Sequence, residues 1–132
     1  GADGLVWSSS TEQVYDGTYS MKGTFGTGTS GDSWDKDIRV PSIPIGNATT
    51  INMWVYLPTG STPFTVGAQN GSDGNWNAAD NTSVLIDTFD TWIEVTLNMP
   101  NGPDSNPNDI GFYHTTVVDN GEFFIDRVLI TQ

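Results

Sequence analysis

Residue types that carry out covalent chemistry are scarce in this chain. It has no cysteine, one histidine (His114) and three glutamates, Glu12, Glu94 and Glu122. The histidine has no thiol to activate, no Gly-x-Ser-x-Gly elbow is present, and one imidazole does not make a zinc site. Carboxylate pairs can always be chosen from sixteen acids, so they say little about hydrolysis. The most informative single group is Asp126, in the closing stretch 121–132, GEFFIDRVLITQ. Alternation puts Phe124, Asp126, Val128 and Ile130 on one side of a strand and Phe123, Ile125, Arg127 and Leu129 on the other. Both sides are largely apolar, so the strand is expected to be covered on both faces for much of its length. Asp126 is then expected to point toward a core, where a carboxylate needs a partner. Calcium, a hard cation that takes carboxylate and carbonyl oxygens, is one candidate. Arg127, Lys22 or backbone N–H groups are the others. The run 104–109, DSNPND, lacks the glycine and closing glutamate of a calcium loop and reads as a solvated turn.

The elements that must position such groups are short strands. They are expected at 5–8, 17–23, 34–40, 49–57, 64–70, 83–87, 91–99, 109–116 and 121–132. The second is entered through the Asp16-Gly17 turn, and the third is closed by Pro41. The stretch 49–57, TTINMWVYL, is the most strongly patterned. A glycine-rich loop at 26–32 lacks the Lys-Ser/Thr ending of a phosphate-binding loop. Polar loops lie at 70–81, where Trp76 sits, and at 100–108. No segment has a helical period. Short strands at spacings of roughly ten residues, separated by Gly, Pro and Asn turns, indicate an all-β sandwich or barrel.

A length of 132 residues suits one domain spanning 1–132 with a real core. The net charge of −12 argues against nucleic acid, whose phosphates need basic patches, and against anionic membranes. No run of about 18 apolar residues is present to span a bilayer. The opening GADGLVW is not a signal peptide, and the chain reads as an excised or processed module. Five tryptophans are many for this length, and some of that aromatic surface is available to a ligand.

Several segments together resemble one family. WSSSTEQVYDGTYSMKG (7–23), INMWVYL (51–57), DTWIEVTLNM (90–99) and FFIDRVLI (123–130) are similar to the recurring segments of jelly-roll carbohydrate-binding modules. These are non-catalytic domains attached to polysaccharide-degrading enzymes. The resemblance implies two antiparallel sheets with Greek-key connections. One holds the segments 34–40, 109–116, 64–70 and 83–87 and carries a concave groove. The other holds 17–23, 121–132, 49–57 and 91–99. It also implies a structural calcium between the N-terminal segment and Asp126, with Asp3 or Glu12 as the second acid and the carbonyl of Lys22 or a neighbour completing the set.

Within that sheet order, alternation sorts the side chains. Ile38, Val40, Phe64, Val66, Ala68, Ile110 and Phe112 point inward. Asp37, Arg39, Gln69 and Tyr113 then share the outer face, with Trp34 and Trp76 at its edges. Gly67 and Gly111 leave a trough where a ligand can approach the backbone. Aromatic rings cover the apolar faces of pyranose rings, while amide, carboxylate and guanidinium groups take the hydroxyls. Trp34, Asp37, Arg39, Gln69, Trp76 and Tyr113 are therefore the candidate ligand-binding residues. Trp54, Tyr56 and Trp92 fall on the opposite sheet and are read as structural, covered by loops or the N-terminal segment; a second ligand surface is the alternative there. The expected function is non-catalytic binding of a β-linked polysaccharide by a secreted, monomeric module that keeps an attached enzyme near its substrate. A structural or adhesion β-sandwich and a small glycan-active enzyme are the competing classes.

Overall fold

The computed structural model describes residues 5–25, 50–69, 81–98, 109–113 and 121–131. They form β1 (Leu5–Ser10), β2 (Ser20–Phe25), β3 (Thr50–Tyr56), β4 (Phe64–Gln69), β5 (Asn81–Ile86), β6 (Trp92–Asn98), β7 (Asp109–Tyr113) and β8 (Gly121–Thr131). The strand expected at 34–40 lies outside the described residues. Two antiparallel sheets result, one in the order β1-β2-β8-β3-β6 and the other in the order β5-β4-β7. The all-β, two-sheet architecture is the expected one, and the strand partition follows the family pattern. β1, which that pattern left unplaced, is an edge strand of the larger sheet.

The alternation of β3 explains why this strand anchors the larger sheet. Ile51, Met53 and Val55 are fully buried, while Asn52, Trp54 and Tyr56 between them are half-buried. β3 pairs with β6 from Thr50↔Asn98 to Tyr56↔Trp92, which sets the buried Leu97 beside Ile51 and Val95 beside Met53. From the smaller sheet come Phe64, Val66, Ile86 and Phe112, all part of the same core. Phe123 of β8 joins the layers. Its ring lies 4.3 Å from Phe64, 5.5 Å from Phe112, 5.2 Å from Phe25 and 5.4 Å from Trp7. Burying one such ring contributes about 1.5–3 kcal/mol.

β8 departs from simple alternation. Trp54 pairs with Asp126 and Asn52 with Leu129, so Arg127 and Val128 together oppose Met53. This is a β-bulge, and Arg127 takes the left-handed conformation with φ of 50°. The extra residue reverses which face each later side chain serves. Asp126 therefore does not line up with Val128 and Ile130 toward the core. It shares the outer face with Phe124 and Trp54, while Ile130 pairs with the buried Ile51. Coverage on both faces also holds only for the first half of β8. Phe123, Phe124 and Ile125 are buried, whereas Val128, Leu129 and Ile130 are exposed.

Candidate ligand-binding faces

On β4, Phe64 and Val66 enter the core, so Thr65, Gly67 and Gln69 hold the opposite parity. The ladders fix what lies beside them. Gly67 pairs with Gly111 on one side and Ser83 on the other. Thr65 pairs with Tyr113 and Leu85, and Gln69 with Asp109 and Asn81. The two glycines expected to form a trough are thus direct cross-strand partners, at the middle of the three rows. Gln69 and Tyr113, placed by backbone register alone, lie in the two flanking rows. Four strand residues separate those rows, roughly 13 Å. Leu85, at the edge of the Tyr113 row, is 59% exposed. Trp34, Asp37, Arg39 and Trp76 lie outside the described residues.

The outer face of the larger sheet is built differently. One cross-strand row runs Lys22, Phe124, Tyr56, Trp92, and the next brings Asp126, Trp54 and Glu94 together. Across these rows lies the β1–β2 connection, residues 11–19. Its Tyr15 ring stacks on Trp54 at 4.0 Å with 16° between planes, and lies 5.9 Å from Trp92. Tyr56 meets Trp92 at 5.4 Å. Trp54 is covered by a loop, as expected, but Tyr15 was not foreseen as the covering residue. A usable signal was present: the Asp16-Gly17 pair turns the chain at Gly17, with φ of 78°, directly after this tyrosine.

Asp126 holds that loop in place. Its Oδ2 accepts hydrogen bonds from the backbone N–H of Tyr15 at 2.9 Å and of Asp16 at 3.0 Å. Its Oδ1 accepts one from the N–H of Arg127 at 2.8 Å. The carboxylate that lacked an evident partner is thus held by backbone N–H groups, and it also ties the residue displaced by the bulge. Three of the roughly four acceptor sites of this carboxylate are thus taken by N–H donors. Glu12 is engaged as well, accepting from Lys22 Nζ at 2.9 Å, with Glu122 on the other side of the ammonium at 3.5 Å. The hydrogen bond that Lys22 donates to Glu12 is the main reason the Lys22 pKa is raised, with the charges of both carboxylates adding to it against the cost of burial. The backbone of Lys22 is mid-ladder, opposite Phe124. Among the described residues, no group of three or more His, Cys, Asp or Glu comes together to hold a metal. Asp3 lies outside them.

A second tie closes the other end of the same face. Asp90, with φ of 55°, donates its N–H to the Leu57 carbonyl at 2.8 Å. Its carboxylate accepts from the Thr59 N–H at 2.9 Å and from the Thr59 hydroxyl. These bonds hold the Asp90 carboxyl below its usual pKa, with a smaller contribution from the Tyr56 phenol. Burial is the first cause that raises the Tyr56 pKa, and the Asp90 charge is the second.

No protein-family profile matches the chain, and no curated protein matches it. Among solved structures it is similar to a domain described as "Xylan-Binding Domain from CBM 22, formally x6b domain". The TM-score is 0.51 at 18% identity, covering 96% of this chain and 81% of that one. It is also similar to the CBM22-1 xylan-binding domain from Paenibacillus barcinonensis Xyn10C, with a TM-score of 0.49 at 15% identity, over 96% of this chain and 80% of the other. The first likeness gives the fold: this chain has the β-sandwich architecture of a carbohydrate-binding domain.

Proposed function

We propose that this chain is a non-catalytic carbohydrate-binding module whose ligand is a β-linked polysaccharide, and that xylan is the first glycan to test. One observation carries the reading. In a fold shared with a xylan-binding domain, the Gly67↔Gly111 pair leaves two of the three positions in the middle row of the β5-β4-β7 sheet without side chains, with the small Ser83 as the third. Tyr113 and Gln69 stand in the rows on either side. This low strip, within the roughly 13 Å between the flanking rows, lets a sugar chain approach the backbone, while a phenol covers a ring face and an amide takes hydroxyls. The module belongs beside a secreted polysaccharide-degrading enzyme and holds it near its substrate.

Affinity electrophoresis against soluble xylan, β-glucan and mannan tests the proposal, with reducing-sugar release followed in parallel. Retardation by xylan with no release of reducing ends is expected. Tyr113→Ala should weaken binding by about 2 kcal/mol, or roughly thirtyfold, with its melting curve unchanged. Retardation by none of these glycans, or a steady release of sugar ends by the purified chain, would overturn the reading.

A further inference from the structure

We infer that the outer face of the larger sheet is a second glycan-binding surface. On it Tyr15, Trp54 and Trp92 form a platform for the apolar face of a neutral pyranose, rimmed by Asp16 and Glu94. The inference rests on the carbohydrate-binding reading but not on the glycine trough. Three observations carry it. The Tyr15 ring lies flat on Trp54, which uses one of its faces, and Tyr15 is still 38% exposed. Trp92, tilted by 54° to Tyr15 at 5.9 Å, adds a second wall, so the rings make a shallow corner.

The second observation is how firmly this loop aromatic is fixed. Two hydrogen bonds to Asp126 clamp its backbone across the sheet, at Tyr15 itself and at Asp16. A platform fixed before binding loses little conformational freedom when a ligand arrives. The third is the rim. Glu94 is the cross-strand partner of Trp54 and is exposed, and the exposed Asp16 follows Tyr15 directly. Sugar hydroxyls donate to carboxylates, so ring and rim together match the two sides of a pyranose. The same carboxylates and the net charge of −12 repel uronate chains, acidic proteins and a second copy of this chain. The occupant is therefore a neutral glycan.

Two-dimensional NMR of the intact chain, titrated with xylohexaose and separately with oligogalacturonate, tests this. The reporters are the indole N–H signals of Trp54 and Trp92 for the platform, and the amides of Gly67 and Gly111 for the trough. Xylohexaose should shift the indole signals and oligogalacturonate should not. Tyr15→Ala should weaken the indole response at least tenfold, while Tyr15→Phe, which keeps the ring, should retain it. Because the clamp is made by the Tyr15 backbone, the alanine variant keeps it. Saturation of the glycine amides with the indole signals still would overturn the platform and leave the proposed function standing. Indole shifts with unmoved glycines would support the platform and move the principal site away from the trough. No response at either place would overturn both.

Discussion

The two outer faces of this sandwich solve the same problem in opposite ways. A sheet has two faces and the core can cover only one. On the larger sheet, the outer face is covered by its own loop: Tyr15 on Trp54, the Asp126 clamp at one end and the Asp90 tie at the other. On the smaller sheet, the middle of the described rows sets glycine against glycine, with only the small Ser83 beside them. The covered face has side chains that specify each other, so its geometry is set before any ligand arrives. The bare face has a backbone that specifies only where a ligand can approach. The difference predicts that the two faces depend on each other through the core and not through their surfaces.

The largest effect should come from breaking that shared core. Phe123 is fully buried and its ring meets Phe64 and Phe112 of one layer and Phe25 and Trp7 near the other. Phe123→Ala should cost about 3–5 kcal/mol. In denaturant titrations the indole fluorescence of the loop-covered face and glycan binding by the bare face should be lost together. If one face survived the loss of the other, the layers would not be a single cooperative unit.

A smaller effect, confined to one face, should follow from Asp126→Ala. Three backbone N–H groups lose a charged acceptor, but water reaches them, so the loss should be about 1–2 kcal/mol. The Tyr15–Trp54 stack should loosen, visible as a change in near-ultraviolet circular dichroism, while binding at the glycine rows is kept. The same melt repeated with a chelator sharpens the assignment of this carboxylate. With N–H groups as its partners, the wild-type melting temperature stays where it is; a fall would show a cation bound to the folded state.

How far the sequence reaches follows from the same contrast. Period-two patterning found β3 because Ile51, Met53 and Val55 alternate without interruption. It also found the opposed parities of Gly67 and Val66, and the ladder then made Gly67 and Gly111 neighbours. It misplaced Asp126 because a bulge adds one residue, and nothing in the string IDRVLI marks where alternation slips. The aspartate was a clue of another kind: a carboxylate beside a left-handed residue can bond the N–H that the ladder gives up. Tyr15 escaped because a contact across more than a hundred residues, from a loop to a strand face, has no period. The outward Trp54 required a cover, and only the folded chain shows which residue supplies it.

The smallest expected effect tests the far end of the covered face. The Asp90 carboxyl has its pKa lowered in the folded chain, first by the Thr59 hydroxyl and then by the Thr59 N–H. A depressed carboxylate contributes stability that is fully present above its unfolded value, near 3.8, and is lost as pH falls through the folded value below that. Asp90→Asn removes the charge and keeps a residue type that accepts a positive φ, so backbone strain at 55° is not the variable. Any difference in amide hydrogen bonding to Thr59 is also independent of pH at this position. The gap in melting temperature between wild type and variant should therefore be constant from neutral pH down to about 4.5 and shrink below the ordinary carboxylate range. Because Asp90 is fully exposed, the pH-dependent part should be small, and high salt should reduce it further. A gap that stayed constant to pH 2 would mean that Thr59 is held by shape and not by charge. The covered face would then be fastened by its carboxylate at Asp126 alone.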